Sequence, residues 1–558
     1  MRLFSEQELF DTLKELDVIP QDKLKESFEE ASLKKISLEE LLIQKDLISD
    51  INIGKIIADL INFPFVNLSE TVIDDGVLNT VPEVYAKKQM VVAFKKDKDG
   101  LHIALNNPSD KQVPDFIAKK TGTPVKTYYA SKRSIKDALN LYAKDIAKVF
   151  DEIIAENVKE VKGTKVAEPS IIKIVDTITK YAYQNRSSDI HIEPTDEGST
   201  VRFRIDGMLH DIINLPSVIH PQIVTRLKVM ARLRTDEHQS AQDGKISIEL
   251  PEEKLDIRVS VVPVTNGEKV VMRLLSERSR QFSLQDLGFS ESDLKKVVAA
   301  YNKPHGMILS TGPTGSGKTT TLYSVLKLLN KRNVNIMTIE DPVEYDMEGV
   351  NQIQVNPNTN LTFSAGLKSI VRQDPDIILV GEIRDEETAD ISINAAMTGH
   401  LVLSTLHTND AATAFPRLLD FGVEPFLIAT TVNVVIAQRL VRKICVKCRI
   451  SEEVSGILVN EISETLLQKY FPNEKNLRVY KGKGCDLCHE TGYVGRVGIF
   501  EVLLVDDEVK AAIVAKKDSS EIKKIAVKNK MTTMLEDGIE KVKQGVTTID
   551  EIIRVTKE

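Results

Sequence analysis

The stretch Gly312-Pro-Thr-Gly-Ser-Gly-Lys-Thr319 fits the pattern G-x-x-x-x-G-K-[ST], which is typical of a loop that binds the phosphates of a nucleotide. Glycines let the backbone curl until successive N–H groups point inward at phosphate oxygens. Lys318 places a cation beside the β- and γ-phosphates, and the hydroxyl of Thr319 is suited to ligate Mg²⁺. The residues predicted to contact the nucleotide are Gly312, Pro313, Thr314, Gly315, Ser316, Gly317, Lys318, Thr319 and Thr320.

Both flanks of the loop support this prediction. The apolar run Met307–Leu309 predicts a strand before the loop, and Thr320–Leu329 has the apolar spacing of a helix after it. A helix that begins at the loop directs the positive end of its dipole at a bound anion. A glycine-rich turn that fits the pattern by chance would not account for this order of strand, loop and helix.

Length and composition indicate an ordinary soluble protein of several domains. The 558 residues suffice for roughly three to four domains of about 150 residues each. Charged residues make up 28% of the chain, hydrophobic residues make up 42%, and no apolar run approaches the ~20 residues of a membrane span. The net charge of −8 gives no indication of nucleic-acid binding. The acidic start does not resemble a secretory signal, so we expect a cytoplasmic location.

All four cysteines lie in two C-x₂-C pairs, Cys445 with Cys448 and Cys485 with Cys488. Two such pairs are typical of a zinc site, and a Cys₄ set leaves no open position for water, so the metal would be structural. The intervening residues 449–484 predict a small subdomain within about 440–500. The alternatives are disulfides, which a cytosolic setting disfavours, and buried free thiols.

The pattern along the chain predicts an α/β, multidomain fold. Residues 143–168 are rich in Lys, Glu and Ala and predict a surface helix followed by a flexible linker. The predicted domains are an N-terminal domain over 1–142, which is helical over 1–62 and α/β over 63–142, then the linker over 143–168, an α/β domain over 169–282 and a phosphate-loop domain over 283–558.

Local patterns in the N-terminal domain predict helices and one hairpin. The strands Val91–Phe94 and Leu101–Leu105 flank a charged turn that ends in Asp99-Gly100, which is a hairpin signal. The helices predicted before them are Glu6–Leu16, Gln21–Ala31, Leu38–Lys45 and Ile51–Ile61.

Acidic residues follow two predicted strands after the phosphate loop. The strand 335–339 is followed by a turn that ends at Glu344, and the strand 376–380 is followed by Glu382. Ligands of parallel α/β sheets sit at the carboxyl ends of strands, where acids can hold Mg²⁺ and orient an attacking water. Two solvated loops are the alternative. A third strand, 401–405, is bracketed by His400 and His407, and this arrangement predicts a phosphate-sensing role, with a structural hydrogen bond as the alternative.

These motifs together resemble the secretion-superfamily ATPases of the PilB/GspE family, which drive type IV pilus assembly and type II secretion. Upstream, 187–194 and 201–207 resemble the PAS-like domain that precedes the RecA-like motor domain in this family. The stretches that carry the resemblance of the motor domain are Gly312–Thr319, Ile339–Glu344, Gly381–Asp385, Thr398–Asp410, Gln438–Cys445 and Gly484–Arg496.

The resemblance implies a homohexameric ring that binds ATP and Mg²⁺ where the PAS-like domain of one subunit meets the motor domain of the next. It assigns Arg258 and Arg273 to contacts with the nucleotide phosphates, where a guanidinium stabilises the transferring phosphoryl group. Thr319 and Glu382 are the predicted Mg²⁺ ligands. Glu344 is the preferred residue for polarising water, but Glu344 and Glu382 could exchange these roles.

The resemblance also implies a function and partners. The large N-terminal region and the Cys₄ insert favour extension or export over retraction. We therefore expect an ATPase for pilus extension that acts on an inner-membrane platform protein at the inner face of the cytoplasmic membrane. The alternatives are a type II secretion ATPase and a DNA-transfer motor, although the acidic charge argues against direct contact with nucleic acid.

The N-terminal region resembles a domain that binds cyclic di-GMP in some family members. The binding versions carry Arg-Leu-Gly before spaced leucines, whereas Lys35-Ile36-Ser37 occupies the corresponding position here. Leucines at this spacing are more often ordinary helix core. We therefore favour docking to the membrane platform protein over binding of cyclic di-GMP.

Overall fold

The structure is a computed structural model that describes residues 4–34, 36–45, 47–48, 50–68, 71, 73–139, 142, 168–250, 253–276, 283–454, 477–485 and 488–556. Two compact units make up the chain, one from Met1–Asp22 and Asp50–Gln281, the other from Lys23–Ser49 and Phe282–Glu558. Within the predicted linker, residues 143–167 lie outside the described residues, as does Lys35.

The predicted N-terminal helices are confirmed, with bounds that differ by at most three residues. Ser5 caps the first of them, because its hydroxyl accepts from the N–H of Glu8 while the carboxylate of Glu8 accepts from the N–H of Ser5. The four helices are α1 (Glu6–Glu15), α2 (Gln21–Lys34), α3 (Leu38–Gln44) and α4 (Asp50–Leu60).

A small α/β region follows. Its sheet has three strands among the described residues, in the order β1-β2-β3. The predicted hairpin is confirmed, since β1 and β2 pair antiparallel, and β2 then pairs parallel with β3 after a helical crossover. The elements are α5 (Asp75–Leu78), α6 (Glu83–Gln89), β1 (Val91–Asp97), β2 (Gly100–Leu105), α7 (Gln112–Thr121), β3 (Val125–Tyr129) and α8 (Lys132–Leu139).

The next sheet is antiparallel throughout, in the order β6-β5-β4-β9-β8-β7 for the described residues. Buried residues alternate along β8 and β9, so one face of the sheet packs on an apolar core. The elements are α9 (Glu168–Gln184), β4 (Asp189–Pro194), β5 (Gly198–Ile205), β6 (Met208–Pro216), α10 (His220–Met230), β7 (Gln242–Glu249), β8 (Lys254–Val264) and β9 (Gly267–Leu275).

The sheet that carries the phosphate loop has the order β12-β11-β13-β14-β10-β15-β18 among the described strands, and it is parallel except for β18. The elements up to the fifth strand of this unit are α11 (Glu291–Tyr301), β10 (Gly306–Thr311), α12 (Lys318–Leu329), β11 (Ile336–Glu340), β12 (Val350–Gln354), α13 (Phe363–Ile370), β13 (Ile377–Val380), α14 (Glu386–Met397) and β14 (Leu401–Leu406).

The remaining elements close this sheet and form the C-terminal helices. They are α15 (Ala414–Asp420), α16 (Pro425–Thr431), β15 (Val432–Ile444), β16 (Arg449–Val454), β17 (Leu477–Gly482), β18 (Tyr493–Leu504), α17 (Asp507–Val514), α18 (Ser519–Lys528), α19 (Met534–Lys543) and α20 (Ile549–Thr556).

Both faces of this sheet are covered. Every residue of β10, β13 and β14 is buried. Alternate residues enter opposite cores, so Met307 and Leu309 belong to one apolar cluster and Ile308 to the other. This burial explains why the strands are continuous apolar runs in the sequence.

A buried carboxylate fastens the last helix to this sheet. Glu551 on α20 is 1% exposed and accepts hydrogen bonds from the N–H of Arg442 at 2.8 Å and from its guanidinium at 2.7 Å. The guanidinium of Arg554 donates two further bonds at 2.8 Å. Burial alone would raise the pKa of Glu551, but the hydrogen bonds from Arg554 and Arg442 outweigh burial and hold the pKa at about 2.

We predict that Glu551→Gln lowers the unfolding free energy at pH 7 by about 3 kcal/mol, since a depression from 4.5 to about 2 corresponds to about 1.4 kcal/mol per pKa unit. A depressed pKa stabilises the fold above the unfolded value and ceases to do so as the pH falls through the folded one. The wild type should therefore lose this advantage between about pH 4.5 and 2. Urea titrations across that range measure it.

The matched control is Glu508→Gln, because Glu508 is 56% exposed and pairs with Lys528 at the surface. This change should alter the unfolding free energy by less than about 1 kcal/mol at any pH. A Glu551→Gln chain as stable as the control at pH 7 would contradict the role of the buried carboxylate.

Candidate nucleotide site and cysteine cluster

The phosphate loop occupies the turn between β10 and α12, as the sequence predicts. A Cβ atom on Gly312, whose φ is 143°, would lie 2.5 Å from the carbonyl oxygen of Gln438, so the loop admits only glycine there. Gly317 forms the N-cap of α12 without a side-chain cap. The first N–H groups of this helix therefore face the loop, where an anion is favoured.

The side chain of Lys318 lies inside the phosphate loop. Its Nζ donates to the carbonyl oxygens of Gly312 at 2.8 Å and Pro313 at 3.2 Å. Burial lowers the pKa of Lys318, while the nearby carboxylate of Glu382 opposes this effect. The side chain is thus an ammonium group whose present partners are neutral carbonyls, and an incoming phosphate would be a stronger partner.

Glu382 contacts an arginine and a histidine at the carboxyl end of β13. Its side chain is 11% exposed and lies 2.5 Å from a guanidinium nitrogen of Arg384 and 3.2 Å from Nε2 of His407. His407 follows β14, the next strand of the sheet. The structure therefore brings together two of the predicted residues, Glu382 and His407, and adds Arg384, to which the sequence analysis assigns no role.

His400 takes no part in this cluster. It precedes β14 and so lies at the opposite edge of the sheet from the phosphate loop. Its Nδ1 donates to the carbonyl of Ala395 at 2.8 Å. The prediction that both histidines sense phosphate is therefore wrong for His400, because parallel strands place their two ends at opposite edges.

A second carboxyl at this edge was missed by the sequence analysis. Glu340, the last residue of β11, is 3% exposed and accepts hydrogen bonds from Thr338 at 2.6 Å and from the hydroxyl of Tyr323. Burial raises the pKa of Glu340, although these bonds oppose the rise. Glu344 lies four residues later and is half-buried. The only sequence signal for Glu340 was its place at the end of a buried strand.

The two predicted arginines belong to the antiparallel sheet of the other unit. Arg258 on β8 and Arg273 on β9 are directly opposite each other in the register. Nε of Arg273 lies 3.0 Å from the carboxylate of Asp189, which is buried, while Arg273 itself is 60% exposed. The two arginines thus share one patch of this sheet, and their contact with phosphate stays a prediction.

The four cysteines converge on one point. The Sγ atoms of Cys445 and Cys485 are 3.8 Å apart, as are those of Cys448 and Cys488, and Cys485 and Cys488 are 3.6 Å apart. A disulfide needs about 2.05 Å, whereas thiolates at about 2.3 Å from a tetrahedral zinc stand about 3.8 Å apart. The cluster therefore has the size of a Cys₄ metal site.

Backbone groups support this cluster. The N–H groups of Cys485 and Gly492 donate to Sγ of Cys488 at 3.1 and 3.2 Å, which is how proteins stabilise thiolate ligands. The strands β16 and β17 leave the cluster as an antiparallel pair. Of the predicted subdomain, residues 455–476 lie outside the described residues.

Comparison with known proteins identifies the family. The model described as "Type II/IV secretion system protein" matches residues 164–554, which is more than half of the chain. The chain belongs to this family. The model of the MshEN domain matches residues 61–147 of this secretion-system protein.

Its relatives include both branches of the family that the sequence resembles. It is 36% identical over 552 residues to the type IV pilus assembly ATPase PilB of Myxococcus xanthus, covering 96% of each chain. It is 38% identical over 532 residues to type II secretion system protein E of Xanthomonas campestris pv. campestris, covering 93% of each chain. The resemblance to PilB and GspE proteins is confirmed.

A solved structure supports the fold of the secretion-system protein. The ATPase DotB of Legionella pneumophila superposes with a TM-score of 0.51 at 21% identity, covering 68% of this chain and 95% of DotB. The predicted α/β, multidomain fold with a RecA-like domain is confirmed. Among the described helices, none is both long enough and apolar enough to cross a bilayer.

We predict that the purified secretion-system protein carries about one zinc per chain and that Cys485→Ser loses most of it and unfolds the surrounding subdomain. Three thiolates cannot complete a Cys₄ shell, and such sites draw folding energy from the metal. Elemental analysis measures the metal, and limited proteolysis measures the local unfolding. Ser451→Ala on β16 is the control. A metal-free wild type with four titratable thiols would contradict the zinc site.

Proposed function

We propose that this protein is a hexameric ATPase that hydrolyses ATP to drive extension of a type IV pilus through an inner-membrane platform protein. The observation that carries the proposal is the meeting of the phosphate loop with Glu382, Arg384 and His407 at one edge of a parallel sheet. A cationic loop beside a metal-binding carboxylate is what binding and cleavage of a nucleoside triphosphate require.

The residues of the site fit ATP with Mg²⁺. Backbone N–H groups of the loop from Gly312 to Thr320 would hold the β- and γ-phosphates, and Lys318 would leave its carbonyl partners for them. The hydroxyl of Thr319 and the carboxylate of Glu382 would hold Mg²⁺. ATP with its metal supplies the phosphoanhydride bond whose hydrolysis releases the free energy for motion. His407, which lies beside Glu382, would sense the γ-phosphate.

We assign the role of general base to Glu344. Both carboxylate oxygens of Glu382 are already engaged, one by the guanidinium of Arg384 and the other by Nε2 of His407. Such a group suits metal binding better than proton abstraction. In the reverse assignment Glu382 is the base. Glu382→Gln would then abolish turnover and leave the binding of Mg²⁺ unchanged.

The placement of the arginines supports the proposal of a ring. Arg258 and Arg273 lie in one unit, and the phosphate loop lies in the other. We propose that these arginines act on nucleotide bound by a neighbouring subunit, where each guanidinium would stabilise the transferring phosphoryl group. Turnover would then rotate one unit against the other and move the membrane partner.

A second candidate function is the ATPase of type II secretion. A type II secretion protein E matches this chain at 38% identity, close to the 36% of a pilus assembly ATPase. A DNA-transfer motor is a weaker candidate because the net charge of −8 does not favour nucleic acid. We propose that the N-terminal domain docks on the platform protein rather than binding cyclic di-GMP.

We predict that Lys318→Ala abolishes ATP turnover, by about 10³-fold or more, with little change in fold. The buried lysine donates to carbonyls of the loop, so its loss removes stabilisation of phosphate and transition state rather than packing of the apolar core. Phosphate release measures the rate, and circular dichroism checks the fold. The control Lys331→Ala, an exposed lysine just beyond α12, should keep the wild-type rate.

The same variant separates the candidate functions in cells. Cells that carry only Lys318→Ala should lose surface pili and keep exoprotein secretion if the motor extends pili. Loss of secretion with normal pili would favour the type II role. Near-normal hydrolysis by purified Lys318→Ala would overturn the site itself.

We predict that activity belongs to the ring. Specific activity should rise with protein concentration, and mixing Arg258→Ala chains with Glu344→Gln chains should restore turnover. A mixed ring contains junctions at which an intact arginine faces an intact glutamate. Each variant alone should be nearly inactive, so the maximum should fall at intermediate mixing ratios in a steady-state assay.

The control mixes Glu344→Gln with Lys318→Ala chains, whose defects lie on the same side of every junction. That mixture should stay inactive at all ratios. Absence of rescue by Arg258→Ala, together with wild-type activity that does not depend on concentration, would mean that the arginines do not act between subunits.

A further inference from the structure

A buried carboxamide on β15 joins the phosphate loop to the first turn of the helix that follows it. Gln438 is 2% exposed, and its Nε2 donates to the carbonyl of Ser316 at 2.7 Å. Its Oε1 accepts from the hydroxyl of Thr321, on the first turn of α12, also at 2.7 Å. The side chain thus pairs with one donor, the hydroxyl of Thr321, and one acceptor, the carbonyl of Ser316. Both of its own polar atoms have a partner.

The sheet register places Gln438 at this point. Thr311, the last residue of β10, pairs with Ala437 of the parallel strand β15, so Gln438 lies beside the first residue of the loop. A Cβ atom on Gly317 would lie 2.9 Å from Nε2 of Gln438. The loop therefore closes around this side chain, and its glycines permit the close approach.

The bond to Ser316 has a consequence for anion binding. In a trans peptide the C=O and the following N–H point in opposite directions. Because the carbonyl of Ser316 is directed at Gln438, the N–H of Gly317 in the same peptide group is directed away from the Gln438 side chain. One hydrogen bond to Gln438 thereby orients a donor on which the phosphate-binding geometry depends.

We propose that Gln438 is a positioning residue that holds the phosphate loop in its anion-binding conformation through Ser316 and Thr321. The inference rests on the proposed nucleotide site and deepens it. Gln438 does not touch phosphate. It fixes the direction of one peptide group and the rotamer of one hydroxyl, so the loop is ordered before nucleotide arrives and less ordering entropy is lost on binding.

A merely structural role is the competing explanation, and the chain offers a matched control for it. Asn433 is another buried carboxamide on the same strand, five residues earlier. Its Nδ2 donates to the carbonyl of His305 at 3.0 Å and its Oδ1 accepts from Lys303 at 3.0 Å. It therefore braces the chain before β10, and both side-chain partners described for it, Lys303 and His305, precede that strand.

The test measures binding of a fluorescent ADP analogue, mant-ADP, with Mg²⁺ to the full-length protein. Gln438→Ala should raise the dissociation constant about tenfold, since two net hydrogen bonds are lost. Asn433→Ala should lower the melting temperature by about as much as Gln438→Ala does. It should keep the dissociation constant within about twofold of the wild-type value. Thr321→Val should weaken binding, and Thr321→Ser should restore it.

The double variant Gln438→Ala/Thr321→Val separates one shared network from two independent effects. If both residues act through the same bond, the double variant should bind little more weakly than Gln438→Ala alone. Wild-type affinity in Gln438→Ala, or equal weakening in Asn433→Ala, would overturn the inference. Should Gln438→Ala fail to fold, wild-type affinity in Thr321→Val would overturn it instead. A wild type that does not bind mant-ADP would refute the nucleotide site itself.

Discussion

The parallel pairing of β11, β13, β14 and β10 is the constraint on which the site depends. Parallel strands bring their carboxyl ends to one edge, so groups that are far apart in sequence meet there. Side chains reinforce the pairing where it matters most, because Ser404 and Thr405 donate to the carbonyls of Val380 and Gly381 at 2.8 and 2.7 Å. These bonds fix β14 to β13 immediately before Glu382.

Features that depend on local sequence were predictable. The phosphate loop, the strand and helix that flank it and the hairpin whose turn ends in Gly100 each follow from turn residues and apolar spacing within a few positions. The convergence of the cysteines was predictable for the same reason, since each C-x₂-C pair forms one knuckle on its own. Two knuckles form one site if the chain brings the second pair of cysteines back to the first. The antiparallel pairing of β15 with β18 does this.

Features that depend on the pairing of distant segments were not predictable. In the sequence Gln438 is one of several polar residues of β15, and its role emerges only when β15 is placed beside β10. Tyr323 resembles ordinary helix core until Glu340 is found against its hydroxyl. The partner of Arg273, Asp189, lies 84 residues away. No periodicity in the sequence encodes such contacts, because they follow from strand order.

The order of strands in the sheet has a consequence for synthesis of the chain. β10 lies between β14 and β15, which begin 95 and 126 residues later (401 − 306 and 432 − 306). Long-range pairings of this kind form slowly, and domains fold as units when their chain is available. A ribosome-bound chain that has just exposed the phosphate loop therefore lacks both neighbours of the strand that supports it. The chain acquires the capacity to bind nucleotide late, after β15 has emerged. A truncated chain should therefore bind chaperones and should not bind ATP.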